Sequence, residues 1–238
     1  GTLRNETKTY NERGAAIATL QESLPRRNIS LAGRLAYGYS SRYFIEGNFG
    51  YNGSERFDQK HRFGFFPSVG LGWMVTNESF MSLYKDVITK LKLKATYGLV
   101  GNDQIGNLND RFFYLSQIII PDANHGYTFG EERGYTRPGV TVTRYADPNI
   151  TWEIAEKLDL GVELGLFDVF DIQANYFNQL RRNILQTRSD IPATMGLITT
   201  PTSNVGEATG NGFEISLDYK KSFNRNFWIT AMGNFTYA

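Results

Sequence analysis

Trp152-Glu153-Ile154-Ala155-Glu156-Lys157-Leu158-Asp159-Leu160-Gly161-Val162-Glu163-Leu164-Gly165-Leu166 is the stretch that decides the fold. Trp152, Ile154, Leu158, Leu160, Val162, Leu164 and Leu166 share one parity, broken only by Glu156. Glu153, Ala155, Lys157, Asp159, Gly161, Glu163 and Gly165 share the other. A period of two belongs to a β-strand, whose successive side chains leave opposite faces. Strands of soluble proteins usually stop near about five or six residues, whereas a tilted strand crossing a bilayer needs about nine to eleven. The length of this run points to a membrane barrel.

Working outward, the same alternation recurs. Leu31, Gly33, Leu35, Tyr37 and Tyr39 form one face, and Tyr43, Ile45, Gly47, Phe49 and Tyr51 another. Val69, Leu71, Trp73 and Val75 follow, then Leu91, Leu93, Ala95, Tyr97 and Leu99. Beyond the decisive stretch come runs centred on Ile172 and Tyr176, on Phe213 to Tyr219, and on Phe227 to Tyr237. The pattern predicts eight antiparallel strands, an all-β up-and-down transmembrane barrel segment. An open eight-strand sheet in lipid would leave two rows of backbone groups unpaired, each costing several kcal/mol or so. The chain is therefore expected to be an internal piece of a larger closed barrel.

Composition agrees. The 238 residues are 41% hydrophobic and 14% aromatic, yet mean hydropathy is negative, as expected when half of every strand faces lipid and half faces a wet lumen. No run approaches the eighteen or so apolar residues of a membrane helix. Twenty-five basic residues balance twenty-four acidic ones, so no single-sign field exists to attract nucleic acid. The chain has no cysteine, which fits a compartment that oxidises stray thiols. It opens at Gly1-Thr2-Leu3 without the charged and apolar regions of an export signal.

Connections alternate in length. Ser40-Ser41-Arg42 and Phe167-Asp168-Val169 are tight, Lys221 to Arg225 is short, and the stretches near 53–64, 101–151 and 182–209 are long. Barrels of outer membranes place turns on the periplasmic rim and loops outside. Asn77 to Lys90 is intermediate, and Asn77 followed by Phe80, Leu83, Tyr84, Val87 and Ile88 predicts a short amphipathic helix capped at Asn77 on the turn side. Aromatic residues near strand ends (Tyr37, Tyr39, Tyr43, Phe65, Phe66, Trp73, Trp152, Tyr219, Phe223, Phe227, Trp228) are expected in the headgroup layers.

Arg62-Phe63-Gly64-Phe65-Phe66-Pro67-Ser68-Val69-Gly70-Leu71-Gly72-Trp73 resembles the "RFGFFPSVSLGW" stretch of SusC/RagA-type TonB-dependent outer-membrane transporters of Bacteroidetes. In the same order, Leu91 to Gly98 with Gly101-Asn102 resembles "LKLRASYGxxGN", Asp147 to Glu153 resembles "NPNLKWE", and Gly206-Glu207 with Asn211-Gly212-Phe213-Glu214 resembles "GxxxNKGFE". The likeness covers about residues 28 to 238. It implies a partial receptor barrel domain over 1–238, about eight strands of a barrel of about 22, with plug, signal peptide and final strands outside it. It further implies active import of an oligosaccharide or peptide, a TonB-ExbB-ExbD complex acting through the plug, a SusD-like lipoprotein lid, and an outer-membrane location.

No catalytic constellation is legible. His61 and His125 fall in outer loops without a second ligand at metal spacing, and a nucleophile, base and orienting group are not gathered anywhere. Asn102, Asp103, Asn107, Asn109 and Asp110 do not follow the calcium-loop spacing and read as hydrated loop residues. No cofactor is called for. Arg34, Glu46, Lys92, Lys94, Glu153, Lys157, Asp159 and Glu163 fall on the lumen face and are expected to form cross-strand pairs and plug contacts. Glu163→Gln is expected to cost little. Ligand contacts are expected from the longest loop, at Tyr114, Tyr127, Phe129, Tyr135 and Tyr145, unless these rings pack the loop against itself. A passive porin is the nearest rival, and a soluble carbohydrate-binding sandwich, with shorter strands and similar rims, the next.

Overall fold

The computed structural model describes residues 27–106 and 112–238. Eight strands form one antiparallel sheet in the order β1-β2-β3-β4-β7-β8-β9-β10. They are β1 (Asn28–Tyr39), β2 (Tyr43–Ser54), β3 (Phe63–Met74), β4 (Ile88–Asn102), β7 (Glu153–Leu166), β8 (Phe170–Thr187), β9 (Thr202–Asn224) and β10 (Phe227–Tyr237). All eight expected strands are present, each next to its neighbour in sequence. The fourteen residues of β7 extend about 46 Å at about 3.3 Å per residue, or about 33 Å at a 45° tilt, enough to cross a hydrocarbon core of about 30 Å.

The faces are what alternation demands. Leu160 and Val162 are 45% and 39% exposed, and the register Ala95↔Leu160↔Tyr176 carries one apolar layer across three strands. No second sheet covers that face among the described residues, so the sandwich is excluded. The opposite face is a broad trough lined by Arg34, Glu46, Asn48, Ser68, Lys92, Lys94, Thr96 and Lys157. Cross-strand charge pairs occupy it. Arg34 meets Glu46 at 2.7 Å, Arg181 meets Glu153 at 3.7 Å, and Lys90, Lys92 and Lys94 converge on Glu163 at 2.8, 3.9 and 3.5 Å. Gly161 makes room for this convergence, because a Cβ there would lie 2.2 Å from Cε of Lys94. Glu163 is thus the common anion of three ammonium groups, so its neutralisation is expected to cost more than parity alone implies.

Tight turns mark one rim. Ser40 and Ser41, like Phe167 and Asp168, take positive φ, and Arg42 and Val169 donate their backbone N–H to Tyr39 and Leu166. Two left-handed residues in succession match the twist of the flanking strands. The β3–β4 connection on this rim differs from expectation. Instead of a helix capped at Asn77 there are two short 3-10 turns, Val75–Asn77 and Ser79–Tyr84, neither with a side-chain cap. Asn77 Nδ2 donates to the Ser41 carbonyl at 2.7 Å instead, tying two turns together. Glu78 completes the tie. Its carboxylate accepts from Tyr43 Oη at 2.7 Å and Trp73 Nε1 at 3.1 Å and pairs with Arg42 at 3.4 Å, and these hydrogen bonds hold its pKa below the usual carboxylate value.

The other rim carries the long connections, and here the sequence reading misses two things. The 101–151 stretch contains a separate hairpin, β5 (Gln117–Phe129) and β6 (Tyr135–Arg144), so ten strands are described in all. The 182–209 loop is shorter than expected, since β8 runs to Thr187 and β9 starts at Thr202.

Candidate functional site

At the loop rim the sheet stops being two-faced and acquires a small core. The β3–β4 ladder ends at Ser68↔Gly98, because Pro67 has no N–H to donate. Beyond that point Phe66 lies over Gly101, where a Cβ would come within 2.0 Å of its ring. Phe66 and Phe57 each meet the Trp152 ring at 5.2 Å. Ile105, Phe113 and Ile150 close the cluster. Trp152 and Phe66, expected in a headgroup girdle, are 6% and 8% exposed. Parity and aromatic type alone do not reveal that loops cover them.

Polar ties fix the loop roots to this core. Trp152 Nε1 donates to the Arg62 carbonyl at 3.3 Å, and His61 Nδ1 lies 3.1 Å from the Pro148 carbonyl. Asn204 acts as a bracket: its Nδ2 donates to Thr151 and Asn183 carbonyls at 3.1 and 2.7 Å, and its Oδ1 accepts from the Thr151 N–H at 2.9 Å. A β-bulge between Arg181 and Ile184, with Asn183 at positive φ, aims Asn183 Nδ2 at the Trp152 carbonyl, 3.4 Å away. Ser203 Oγ donates to Asp147 at 2.7 Å, and the Asp147 N–H to the Tyr114 carbonyl at 3.1 Å. Three of the four recognised motifs meet at this rim. The fourth, Gly206 to Glu214, lies along β9 in the wall.

Above the roots stands the β5–β6 hairpin. A bulge lets two residues of β6 face the run from Asp122 to Tyr127, and a compact polar knot fills it. The Asp122 carboxylate accepts from Thr141 Oγ1, from the Asn124 N–H at 2.9 Å, and faces His125 Nδ1 at 2.7 Å. Those hydrogen bonds, that from Thr141 foremost, bring the Asp122 pKa down to about 2. Thr141 Oγ1 also lies 2.8 Å from His125 Nδ1, so the three side chains together brace the hairpin.

The expected ligand residues divide. Tyr145 Oη accepts from the Ile198 N–H at 3.4 Å, in the connection between β8 and β9, and the Tyr114 ring abuts Phe112 at 6.4 Å. Tyr127, Phe129 and Tyr135 instead sit at the hairpin end, 72%, 51% and 55% exposed. Arg137, missed by the sequence reading, stacks on Tyr135 at 5.2 Å. Beside the hairpin base a polar cavity of about 390 Å³ is lined by Gln117, Thr143, Arg144, Thr187, Thr199, Thr200, Thr202 and Phe113. Of the oxygen-rich group, Asn102 lies 3.5 Å from Glu153, and Asn107, Asn109 and Asp110 lie outside the described residues.

Comparison with known proteins is consistent with this geometry. A family model described as "TonB dependent receptor-like, beta-barrel" matches residues 4–238. TonB-dependent receptor P3 of Formosa agariphila is 28% identical over 96% of this chain and 22% of its own length. TonB-dependent receptor SusC of Bacteroides thetaiotaomicron is 28% identical over 88% of this chain and 20% of its own. The chain thus spans about one fifth of these relatives. Among solved structures, the RagAB peptide importer in its closed-closed state superposes with a TM-score of 0.70 at 21% identity, over 88% of this chain and 21% of that one.

Proposed function

We infer the function from one premise: this chain belongs to the TonB dependent receptor-like β-barrel family. It is barrel wall of the outer membrane. On our reading, residues 1–238 are part of a larger receptor barrel whose plug and remaining strands lie outside this chain. The whole protein is an importer that takes up an oligosaccharide or peptide nutrient against its gradient. A TonB-ExbB-ExbD complex supplies the energy through the plug, and a SusD-like lipoprotein covers the outer mouth. The observation that carries this reading is the division of one sheet into an apolar face exposed as far as Leu160 and a polar face whose charges are paired across strands. A wall of this kind separates lipid from a wet, charge-lined interior. It holds the outer loops on a fixed rim and leaves chemistry to the ligand-binding and energising parts. Uptake of a radiolabelled nutrient digest by cells carrying the full-length receptor tests it. Uptake should vanish when TonB is deleted, whereas uptake indifferent to TonB would make the protein a passive porin.

A further inference from the structure

We propose that the exposed face of the β5–β6 hairpin receives an acidic saccharide. Tyr127, Phe129 and Tyr135 hold its rings, and Arg137 holds its carboxylate or sulfate. The proposal rests on the import reading and names the substrate class for it. Register supplies the first observation. Tyr127 opposes Arg137 and Phe129 opposes Tyr135, and directly opposed residues, like residues two apart, share a face. Four side chains therefore stand together on one side of the ribbon. The Tyr127 and Phe129 rings lie 5.4 Å apart at 56°.

Arg137 supplies the second. Two residues of β6 bear guanidinium groups near the hairpin's ends, and they differ. Arg144 donates to the Leu115 and Phe112 carbonyls and is spent on structure. Arg137 lies over Tyr135 and, among the described residues, donates its side-chain N–H groups to no acceptor and pairs with no carboxylate. Stacking holds the plane while leaving the fork open, the arrangement that takes a planar anion by two parallel hydrogen bonds. Sugar rings present apolar C–H faces that lie flat on aromatic rings, and an acidic substituent would occupy the fork. A neutral saccharide would leave it empty. A protein partner is disfavoured by size, since four side chains fall far short of the about 20 residues a stable interface takes from each side.

Binding of four probes to the purified full-length receptor in detergent tests the proposal: trigalacturonate, a sulfated carrageenan tetrasaccharide, maltotriose and triglutamate. At least one acidic saccharide should bind about tenfold or more tightly than maltotriose, the worth of one charge-assisted pair. Comparison of the two acidic probes tells carboxylate from sulfate. Arg137→Gln should erase the preference for acid, and Tyr127→Ser with Tyr135→Ser should weaken both saccharide classes. Equal binding of maltotriose and the acidic saccharides, triglutamate bound as well as they are, a preference that survives Arg137→Gln, or no saccharide binding at all would each overturn it. Unaltered heat-modifiable migration of each variant on gels establishes that the barrel is intact. TonB-dependent uptake of a mixed digest, followed in the same cells, separates the two readings. Energy-dependent uptake without acid preference sinks only the hairpin proposal, and TonB-independent uptake sinks the import reading.

Discussion

The rim cluster and the hairpin above it use the same side chains to opposite ends. At the rim, Phe57, Phe66 and Trp152 pack on one another and are nearly sealed from solvent. On the hairpin, Tyr127, Phe129 and Tyr135 sit on a two-stranded ribbon with nothing over them among the described residues. The rim residues belong to the recurrent motifs or touch them, while the hairpin residues belong to none. The difference teaches that the signature of this chain is written in the residues that hold loops to the wall, and that the exposed aromatic face of the hairpin lies outside it.

The strongest blow to that contrast is Trp152→Ala. Removing a buried indole that touches Phe57 and Phe66 and donates to Arg62 should cost about 3–5 kcal/mol locally. Limited proteolysis should then cut the 101–151 segment far faster while the wall strands persist. Tyr127→Ala on the exposed ribbon should leave the same digestion pattern unchanged. Leu160→Arg on the lipid face should cost about 2–4 kcal/mol in a folding titration into bilayers. Glu163→Gln should cost less, about 1 kcal/mol, because three partly exposed lysines lose their shared anion. Equal costs would mean the two faces are wrongly assigned. Gly101→Ala pushes a Cβ into the Phe66 ring and should cost about 1–3 kcal/mol, again read as loop protection.

Acid should reach the hairpin through Asp122. Its carboxylate is held at about 2 in the folded hairpin against 3.8 otherwise. A lowered folded pKa gives a stabilisation that is fully present above the unfolded value and is lost as pH falls through the folded one. The protection factors of β5 and β6 amides, each exchange rate taken relative to its intrinsic value at that pH, should therefore be constant above about pH 4 and fall toward about pH 2. Asp122→Asn should abolish that dependence. The smallest effect is expected at Asn77, where alanine removes one hydrogen bond to Ser41, about 0.5–1 kcal/mol, detectable as a shifted urea midpoint.

The wall is legible because period two is imposed by lipid on one side and water on the other, and β7 obeys it from Lys157 to Leu166, the break falling at Ala155 and Glu156. Outside the bilayer that constraint ends. Glu156 itself pairs with Arg182 at 3.1 Å, in the part of β7 and β8 that approaches the loop rim, so the break in alternation marks where the rule lapses. Trp152 falls with the girdle aromatics in the sequence because ring type is visible there and cover is not. The hairpin leaves no clean alternation in the sequence because Pro121 and the bulge from Asp122 to Tyr127 interrupt β5. Asn77 has the signature of a cap because the side chain that caps a helix also ties turns, and only the position of Ser41 decides between them. The pairing of Tyr127 with Arg137 lies on the turn side of that bulge, in unbroken register with Phe129 and Tyr135, and becomes visible only once the hairpin itself is recognised.

The bracket built from Asn204, Asp147 and Trp152 has a consequence for how such proteins diversify. It clamps the segment at its base, where Tyr114 and Asp147 are joined by a single backbone hydrogen bond of 3.1 Å, so what lies between them is a cartridge on a fixed socket. A hairpin of another length is therefore expected to leave the lipid-facing staves undisturbed, because the hydrogen bonds that fix the ends of the segment lie below it.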